Sequence, residues 1–227
     1  MGIRFIIEKP ISNDFELMTS DKFKKIYLRN KIVESLPFFH HPFWKFLNNL
    51  VGNHNFENLE SKFVIPNKFD ENDFRLNKEL GGSAILDNGI YPISCVNALL
   101  NIDTDNLIDK KIFFDHKLKI DTSGKATFGS DVVKKINLEW GFGRKYQNYI
   151  KLKSKKLEVH IPFFYSKPEK FIPKVYINNS EEVLFRNIDQ FRRLYSLTLK
   201  DHEQSGLYNT YSSIYNRYNL MKKLFDD

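Results

Sequence analysis

Two short segments of the chain carry side chains suited to proton transfer. The first, Glu8-Lys9-Pro10, directly follows the run Arg4 to Ile7, which has the composition of a short buried strand. In open α/β sheets, ligands bind at the carboxyl ends of strands, so a lysine fixed there by a following proline could contact a substrate hydroxyl. An ordinary salt bridge at the end of a strand is the simpler explanation of this tripeptide taken alone.

The second segment is Asp87-x-Gly89-x-Tyr91-Pro92, which follows a Gly-Gly-Ser turn. Glycines allow the backbone to approach a ligand closely. Asp87 and Tyr91 are four residues apart and would share one face of a helix, where an acid and a phenol can hold and relay protons. A core tyrosine and a helix-capping aspartate are the alternatives. Just before the glycine turn, Arg75 could hold an anionic substrate such as a nucleotide-sugar phosphate, or could pair with Asp73 or Glu79.

Apolar periodicity and helix breakers predict alternating strands and helices in the first half of the chain. Ser12 or Asn13 would cap the first helix. The expected elements are strand Arg4 to Ile7, helix Asp14 to Asn30, strand Lys31 to Phe39, helix Pro42 to Gly52, strand Leu59 to Ile65, and an apolar helix ending near Leu100.

From Lys111 onward the hydrophobic period changes to two, which indicates four or five antiparallel strands. Helices are expected again over Glu181 to Leu199 and over Tyr208 to Phe225. This order predicts an α+β fold with a large, mostly antiparallel, open-faced sheet covered by helices on one face.

Composition narrows the classes of function. The 35 Lys and Arg residues outnumber the 28 Asp and Glu residues, but they are scattered, and Lys151 and Lys153 alternate with Leu152 like the wet face of a strand. No nucleic-acid-binding pattern accompanies the charge, so a nucleic-acid partner is not expected. Cys95 is the single cysteine, which excludes an internal disulfide and a cysteine-based zinc site, and no metal site is expected.

The sequence also lacks an apolar stretch of the ~18 residues needed to span a bilayer, and its start has no signal-peptide pattern. No membrane association is therefore expected, and a cytoplasmic location follows as an expectation.

Taken together, the two segments resemble the glucose-fructose oxidoreductase, inositol dehydrogenase and rhizopine-catabolism family. The Glu8-Lys9-Pro10 tripeptide follows a strand, and Gly81-Gly82-x-x-x-x-Asp87-x-Gly89-x-Tyr91-Pro92 comes about eighty residues later, before a sheet and helices. The resemblance runs from about Arg4 to Leu224 and is weakest in the strand block. Tyr91 stands where many sugar dehydrogenases of the family have His, although Tyr also occurs there.

The resemblance implies a Rossmann domain for NAD or NADP followed by an α+β domain that binds a sugar, polyol or nucleotide sugar. It implies that Lys9 contacts the reacting hydroxyl and that Asp87 and Tyr91 relay the proton. In the family, the bond between this lysine and the proline after it is often cis. Glu8 and Pro10 would lie near the nicotinamide. Tyr91 would exchange the proton while Lys9 polarises the oxygen, or the roles would be reversed.

The neighbourhood of Lys9 and Tyr91 is expected to lower the pKa of one of them, and the two are expected to face each other, with Asp87, across a gap the size of a sugar. His40 and His41 fall where the resemblance places substrate-facing residues and could bind a hydroxyl or phosphate. A surface histidine pair is the alternative.

One departure from the family matters for function. No Gly-x-Gly-x-x-Gly occurs in the sequence, so a means of holding a pyrophosphate at a helix N-terminus is missing. Residues 1–30 are therefore interpreted as the end of a Rossmann domain, and residues 31–227 as the substrate-binding and oligomerisation domain. The expected partner is a second copy of the chain or a separate chain that bears the nucleotide site. A non-catalytic carbohydrate-binding or oligomerisation module is the alternative function.

Overall fold

The computed structural model describes residues 4–143, 145–200 and 207–226. The strands are β1 Arg4–Glu8, β2 Lys31–Ser35, β3 Phe56–Pro66, β4 Leu107–Asp115, β5 Ile120–Phe128, β6 Val133–Gly143, β7 Gln147–Lys153, β8 Glu158–Pro162, β9 Lys174–Ile177 and β10 Glu181–Leu184. The α-helices are α1 Phe15–Met18, α2 Asp21–Arg29, α3 Pro42–Asn53, α4 Ile90–Leu100, α5 Gln190–Lys200 and α6 Tyr211–Phe225.

The strands form two sheets. β1 and β2 pair in parallel as a small two-stranded sheet, so the expected boundary between residues 30 and 31 falls between two paired strands. The other eight strands form one large sheet in the order β10-β9-β8-β7-β3-β6-β5-β4, antiparallel except for the β3–β6 pair. The predicted α+β class, with a large and mostly antiparallel sheet covered by helices, is confirmed.

One face of the large sheet is buried under the helices, and the other face is exposed to solvent. Leu59 and Phe63 of β3, Leu138 and Trp140 of β6 and Ile150 of β7 point into one continuous core. On the opposite face, charged side chains pair across the strands: the carboxylate of Glu139 lies 3.2 Å from the ammonium of Lys62 and 3.3 Å from that of Lys125. Lys151 and Lys153 flank the buried Leu152, as the alternation predicted.

Several predicted elements were wrong in extent. The helix expected over Asp14 to Asn30 is broken into α1 and α2, because the Asp14 side chain caps the first and the Ser20 side chain caps the second. The strand expected to reach Phe39 ends at Ser35, where Pro37 begins a 3₁₀ turn that runs to His40.

The C-terminal part also departs from prediction. The helix expected from Glu181 begins only at Gln190, because Glu181–Leu184 is strand β10, paired with β9. Asn178 and Asn179 have φ values of 51° and 61° and form the tight turn between those strands, a role that Asn tolerates well. The strand block after Leu107 therefore holds seven strands instead of four or five. In the part of the chain that the structure describes, no helix is both long and apolar enough to cross a bilayer.

Candidate active site

Lys9 leaves the end of β1 in a fixed direction. Its peptide bond to Pro10 is cis, as the resemblance implied. The next backbone N–H, that of Ile11, donates to the Glu34 carboxylate at 3.1 Å and lies 2.7 Å from the Tyr218 hydroxyl. Both acceptors belong to elements far along the chain, so the Lys9 turn is held by β2 and α6 together.

Those two acceptors belong to a buried ionic cluster. The guanidinium of Arg217 donates to Glu34, and the Tyr218 hydroxyl donates to the same carboxylate at 2.8 Å. Glu34 and Arg217 are completely buried, and Asn209 donates to and accepts from the backbone of Glu34. A buried carboxylate that is paired and hydrogen-bonded in this way fixes the geometry of its neighbours.

The glycine turn before the second segment packs closely against the preceding loop, residues 74–77. A Cβ atom at Gly82 would lie 2.7 Å from each of the backbone oxygens of Phe74, Arg75 and Asn77, and the Gly82 N–H donates to Asn77 at 2.8 Å. Gly81 has a φ of 83°, in the left-handed region that favours glycine. Because Gly82 has no side chain, its backbone can lie directly against the loop that carries Arg75.

The helical segment that carries Asp87 and Tyr91 is anchored by a buried acid. The Asp121 carboxylate accepts hydrogen bonds from the Ser83 hydroxyl and from the Ile85 N–H. Burial raises the pKa of Asp121, although these donors act in the opposite direction. The segment begins with a π-helical turn, Ile85–Gly89, and continues as α4. Its Gly89 packs directly on the indole of Trp140.

The two predicted segments meet at Lys9 and Asp87. The Lys9 ammonium donates at 2.7 Å both to the carboxylate and to the backbone carbonyl of Asp87. The other carboxylate oxygen of Asp87 accepts from Arg75 at 2.8 Å, and Arg75 also contacts Asp73 at 3.2 Å. The side chains of Lys9 and Asp87 are each 13% exposed, so the pair is desolvated but lies at the surface.

Tyr91 completes the cluster from the same helical segment. The Lys9 ammonium lies 5.2 Å from the centre of the Tyr91 ring, within the range of a cation–π contact. The ring is held edge-on by Phe63 at 5.0 Å and lies 6.0 Å from Phe38, both centroid to centroid. Asp87 and Tyr91, four residues apart, therefore both contact Lys9, which is consistent with the shared face that their spacing predicted.

The expected gap between these groups was wrong. Lys9 and Asp87 form a direct ion pair, because a desolvated ammonium and carboxylate this close attract strongly.

The charges of the cluster set its protonation states. Burial on its own would raise the pKa of Asp87, but Lys9 and Arg75 outweigh it and hold that pKa below its usual range. Burial, together with the carboxylates of Asp87 and Glu8, raises the pKa of Tyr91 well above its usual range. The expectation was that the pKa of either Lys9 or Tyr91 would be lowered; for Tyr91 this does not hold, because burial of the phenol raises its pKa and the nearby carboxylates add to that effect.

His40 and His41 lie apart from this cluster. Both are buried, 7% and 2% exposed, so the alternative of a surface histidine pair was wrong. The His40 imidazole is hydrogen-bonded to the Tyr208 hydroxyl, and His41 caps α3 by accepting from the Phe43 N–H at 3.2 Å. They line a different cavity, described below. Of the other predicted residues, Arg75 joins Asp87, while Glu8 and Pro10 flank Lys9 at the end of β1.

Solved structures of oxidoreductases share this fold. KijD10, a 3-ketoreductase from Actinomadura kijaniata solved with NADP and TDP-benzene, matches with a TM-score of 0.81 at 17% identity, over 96% of this chain and 69% of that one. The fold is that of these oxidoreductases. Aldose-aldose oxidoreductase from Caulobacter crescentus, solved with glycerol, matches with a TM-score of 0.78 at 12% identity, over 98% and 69% of the two chains. No family model matches the sequence, and no curated protein matches it.

Sequence reasoning missed the residues that position the cluster. Glu34, Arg217 and Asp121 are charged residues in or beside apolar runs, and the sequence alone does not distinguish a buried charge from a solvated one. The one available signal was Glu34 itself, which interrupts the apolar pattern of β2. A charge in the middle of a predicted buried strand requires a partner, although its position along the chain cannot be inferred.

Proposed function

We propose that this chain forms the substrate-binding, proton-handling part of an NAD(P)-dependent oxidoreductase that acts on a hydroxyl or keto group of a sugar, polyol or nucleotide sugar. The observation that carries the proposal is the contact of Lys9, at the end of β1, with Asp87 and Tyr91 of the helical segment. Neighbouring structures with this fold hold NADP and a TDP-linked ligand, or glycerol, which supports the substrate class.

Lys9 is the group that polarises the substrate oxygen. Its ammonium is aimed by the carboxylate and the carbonyl of Asp87, both at 2.7 Å. Those contacts use two of its three N–H donors. The third remains for a substrate oxygen that reaches the exposed part of the side chain. A fixed positive charge beside an oxygen that gains negative charge stabilises the transition state without reorganisation.

Tyr91 is the group that exchanges the proton. Its raised pKa keeps the phenol protonated at neutral pH, which suits a donor to the oxygen of a keto group during reduction. In the reverse direction the phenol would have to lose its proton first, which the carboxylates of Asp87 and Glu8 oppose. The resting, protonated state of Tyr91 is therefore the one that reduction requires.

Arg75 and Asp87 support the two reacting groups. Asp87 lies between the Lys9 ammonium and the Arg75 guanidinium, which keep it ionised. Arg75 in turn is shared with Asp73 and stacks 4.5 Å over Phe74. We assign to Arg75 the orientation of Asp87, together with a contact to an anionic substrate group through the part of its guanidinium that solvent reaches.

The cofactor would be held only in part by the described residues. A bound nicotinamide would supply or accept the hydride next to the substrate carbon. We assign its reacting end to Glu8 and Pro10, which flank Lys9 at the end of β1, but no Gly-x-Gly-x-x-Gly loop for the pyrophosphate occurs in the sequence. We propose that a separate nucleotide-binding unit pairs with the edge of β1 opposite β2, or that the chain associates with a second copy of itself, and that the complex is cytoplasmic.

The test has a binding arm and a turnover arm. The fluorescence of NADPH and of NADH is titrated with the chain alone and with the candidate nucleotide-binding partner, and reduction of keto sugars is then assayed in whichever preparation binds. Lys9→Ala and Tyr91→Phe should each lower kcat by 10²–10⁴-fold, the usual contribution of a positioned acid or base.

The matched controls are Lys24→Ala, on the exposed surface of α2, and Tyr195→Phe, on the exposed side of α5, which should leave kcat unchanged. Full turnover in either site variant contradicts the assignment of that residue.

The alternative is a non-catalytic carbohydrate-binding or oligomerisation module. Two observations favour it: no pyrophosphate-binding loop occurs in the sequence, and Lys9 and Asp87 already neutralise each other. Under this alternative neither nucleotide binds in any preparation, while a sugar ligand still shifts the melting temperature. That outcome would exclude the oxidoreductase proposal.

A further inference from the structure

A second cavity lies away from the cluster of Lys9, Asp87, Arg75 and Tyr91, and none of those side chains lines it. It is bounded by the 3₁₀ turn that ends at His40, by the first half of α3 and by α5, and its volume is about 620 Å³. That volume falls in the range of small-molecule binding sites in proteins. The lining side chains used in the argument are His41, Trp44, Lys45, Phe185, Arg193 and Tyr208.

His41 lines this cavity and has a buried ring N–H without a hydrogen-bond partner among the described residues. Its Nδ1 atom accepts the Phe43 N–H at 3.2 Å, which places the proton of the neutral ring on Nε2. Nε2 is buried and has no hydrogen-bond partner among the described residues. Burial, assisted by the positive charges of Lys167 and Arg193, lowers the pKa of His41 to about 3, so the ring is neutral at physiological pH. A buried donor without an acceptor is costly, and a ligand oxygen would satisfy it.

The charged side chains that line the cavity, among the residues that the structure describes, are all positive. Lys45 and Arg193 line it, and neither makes an ion pair with any residue that the structure describes. Among the lining residues that the structure describes there is no Asp or Glu. An anion would therefore meet two cations and a neutral N–H donor, without a carboxylate to repel it.

The remaining walls are flat and aromatic. The Tyr208 ring stacks on Phe39 with a centroid separation of 3.9 Å and an angle of 13°, and Trp44 packs edge-on against Phe39 at 4.6 Å. The Tyr208 hydroxyl is hydrogen-bonded to His40, which fixes the ring in place. Phe185 closes another side. Rigid rings of this kind favour a ligand with a flat, apolar body.

We infer that this cavity is a second binding site that takes a small organic anion with a flat, apolar body, separate from the oxidoreductase cluster. The carboxylate or phosphate group of the ligand accepts from the His41 Nε2–H and pairs with Arg193 and Lys45. Its apolar body lies against Trp44 and Tyr208. The site is independent of the proposed function, because none of its groups touches Lys9, Asp87 or Tyr91 in the contacts described above.

The test is calorimetric titration of the full chain with naphthoate, alongside phenyl phosphate and the neutral analogue naphthalenemethanol. Naphthoate or phenyl phosphate should bind with a Kd in the millimolar range or tighter, and the preferred one identifies the anionic group. Naphthalenemethanol should bind about tenfold more weakly, since a charge-assisted hydrogen bond is lost.

Two variants locate the site, and one serves as a matched control. His41→Asn keeps a side-chain acceptor that caps α3 but withdraws the Nε2–H, and Arg193→Gln removes a cation. Each should weaken naphthoate binding about tenfold. Arg192→Gln changes an exposed arginine next along α5 that does not line the cavity, and should leave the Kd unchanged.

In the histidine nitrogen spectrum, the Nε2–H signal of His41 should move on titration, which a purely structural role of the ring would not produce. The inference is overturned if neither anion binds in the millimolar range. It is equally overturned if the neutral analogue binds as well as the anions, or if Arg192→Gln weakens binding as much as Arg193→Gln.

Discussion

Replacing Glu34 by glutamine removes one charge from a fully buried ion pair while keeping the shape of the side chain. In the native protein the carboxylate satisfies Arg217, Tyr218 and the Ile11 N–H at once. After the change, the Arg217 guanidinium stays buried, with a neutral amide in place of its counter-ion. The amide N–H₂ of glutamine would also face Arg217, the Tyr218 hydroxyl or the Ile11 N–H, which are themselves donors.

The structure allows the cost of this change to be estimated. Removing one partner of a buried pair typically costs 3–5 kcal/mol, because the surviving charge is left uncompensated. Glu34 and Arg217 are both fully buried, so solvent does not relieve the penalty. With a shift of about 2–4 °C per kcal/mol for a chain of this size, the melting temperature should fall by roughly 6–20 °C.

The assays are thermal melting, which gives the change in melting temperature, and urea unfolding, which gives the change in free energy, both followed by circular dichroism. Glu16→Gln is the matched control, because Glu16 forms an ion pair with Lys222 at 2.7 Å while remaining 78% exposed, and its loss should cost under about 1 kcal/mol. Adding Arg217→Met to Glu34→Gln should recover about 1–3 kcal/mol, since the orphaned charge is removed. A Glu34→Gln cost no larger than the control, or strictly additive effects in the double variant, would refute the reasoning.

Two further predictions concern stability. Burial lowers the pKa of Lys167 to about 7 from an unfolded value near 10.5, so folding expels a proton between those values. Stability should rise with pH across that window, and the rise should vanish in Lys167→Met when unfolding is measured at several pH values; equal slopes in both proteins would count against it. Gly82→Ala should destabilise by about 1–3 kcal/mol through contact with three backbone oxygens, whereas Gly52→Ala, with open space inside α3, should be neutral or stabilising by ~0.5–1 kcal/mol in the same melts.

Local patterns in the sequence predicted the parts of the fold that depend on neighbouring residues. The alternation of Lys151, Leu152 and Lys153 placed the wet face of β7 correctly, and Pro42 placed the start of α3. Where a cap decided the outcome, prediction failed. Asp14 and Ser20 are equally good caps, and the hydrophobic pattern could not show that both are used to divide one helix into two.

Contacts between distant segments were beyond the reach of periodicity. Pattern reasoning indicated that β3 was a strand, but not that it would pair in parallel with β6 at the centre of an otherwise antiparallel sheet. It indicated that Asp87 and Tyr91 share a face, but not that Lys9 would bind Asp87 directly. These outcomes depend on pairings between residues tens to hundreds of positions apart, which local propensity does not encode.

The cluster of Lys9, Asp87 and Tyr91 and the residues that hold it in place differ in how deeply they are buried. Lys9 and Asp87 each keep 13% of the side chain exposed, and the partly buried Tyr91 packs against the core beside Lys9. The groups that hold them, Glu34 with Arg217 on one side and Asp121 on the other, are buried ionisable residues outside the proposed proton-handling group. Since burying a charge is unfavourable unless it is paired and hydrogen-bonded, these residues are best explained by the placement they impose on the lysine turn and on the helical segment. Loosening either one should therefore impair the site before it unfolds the chain.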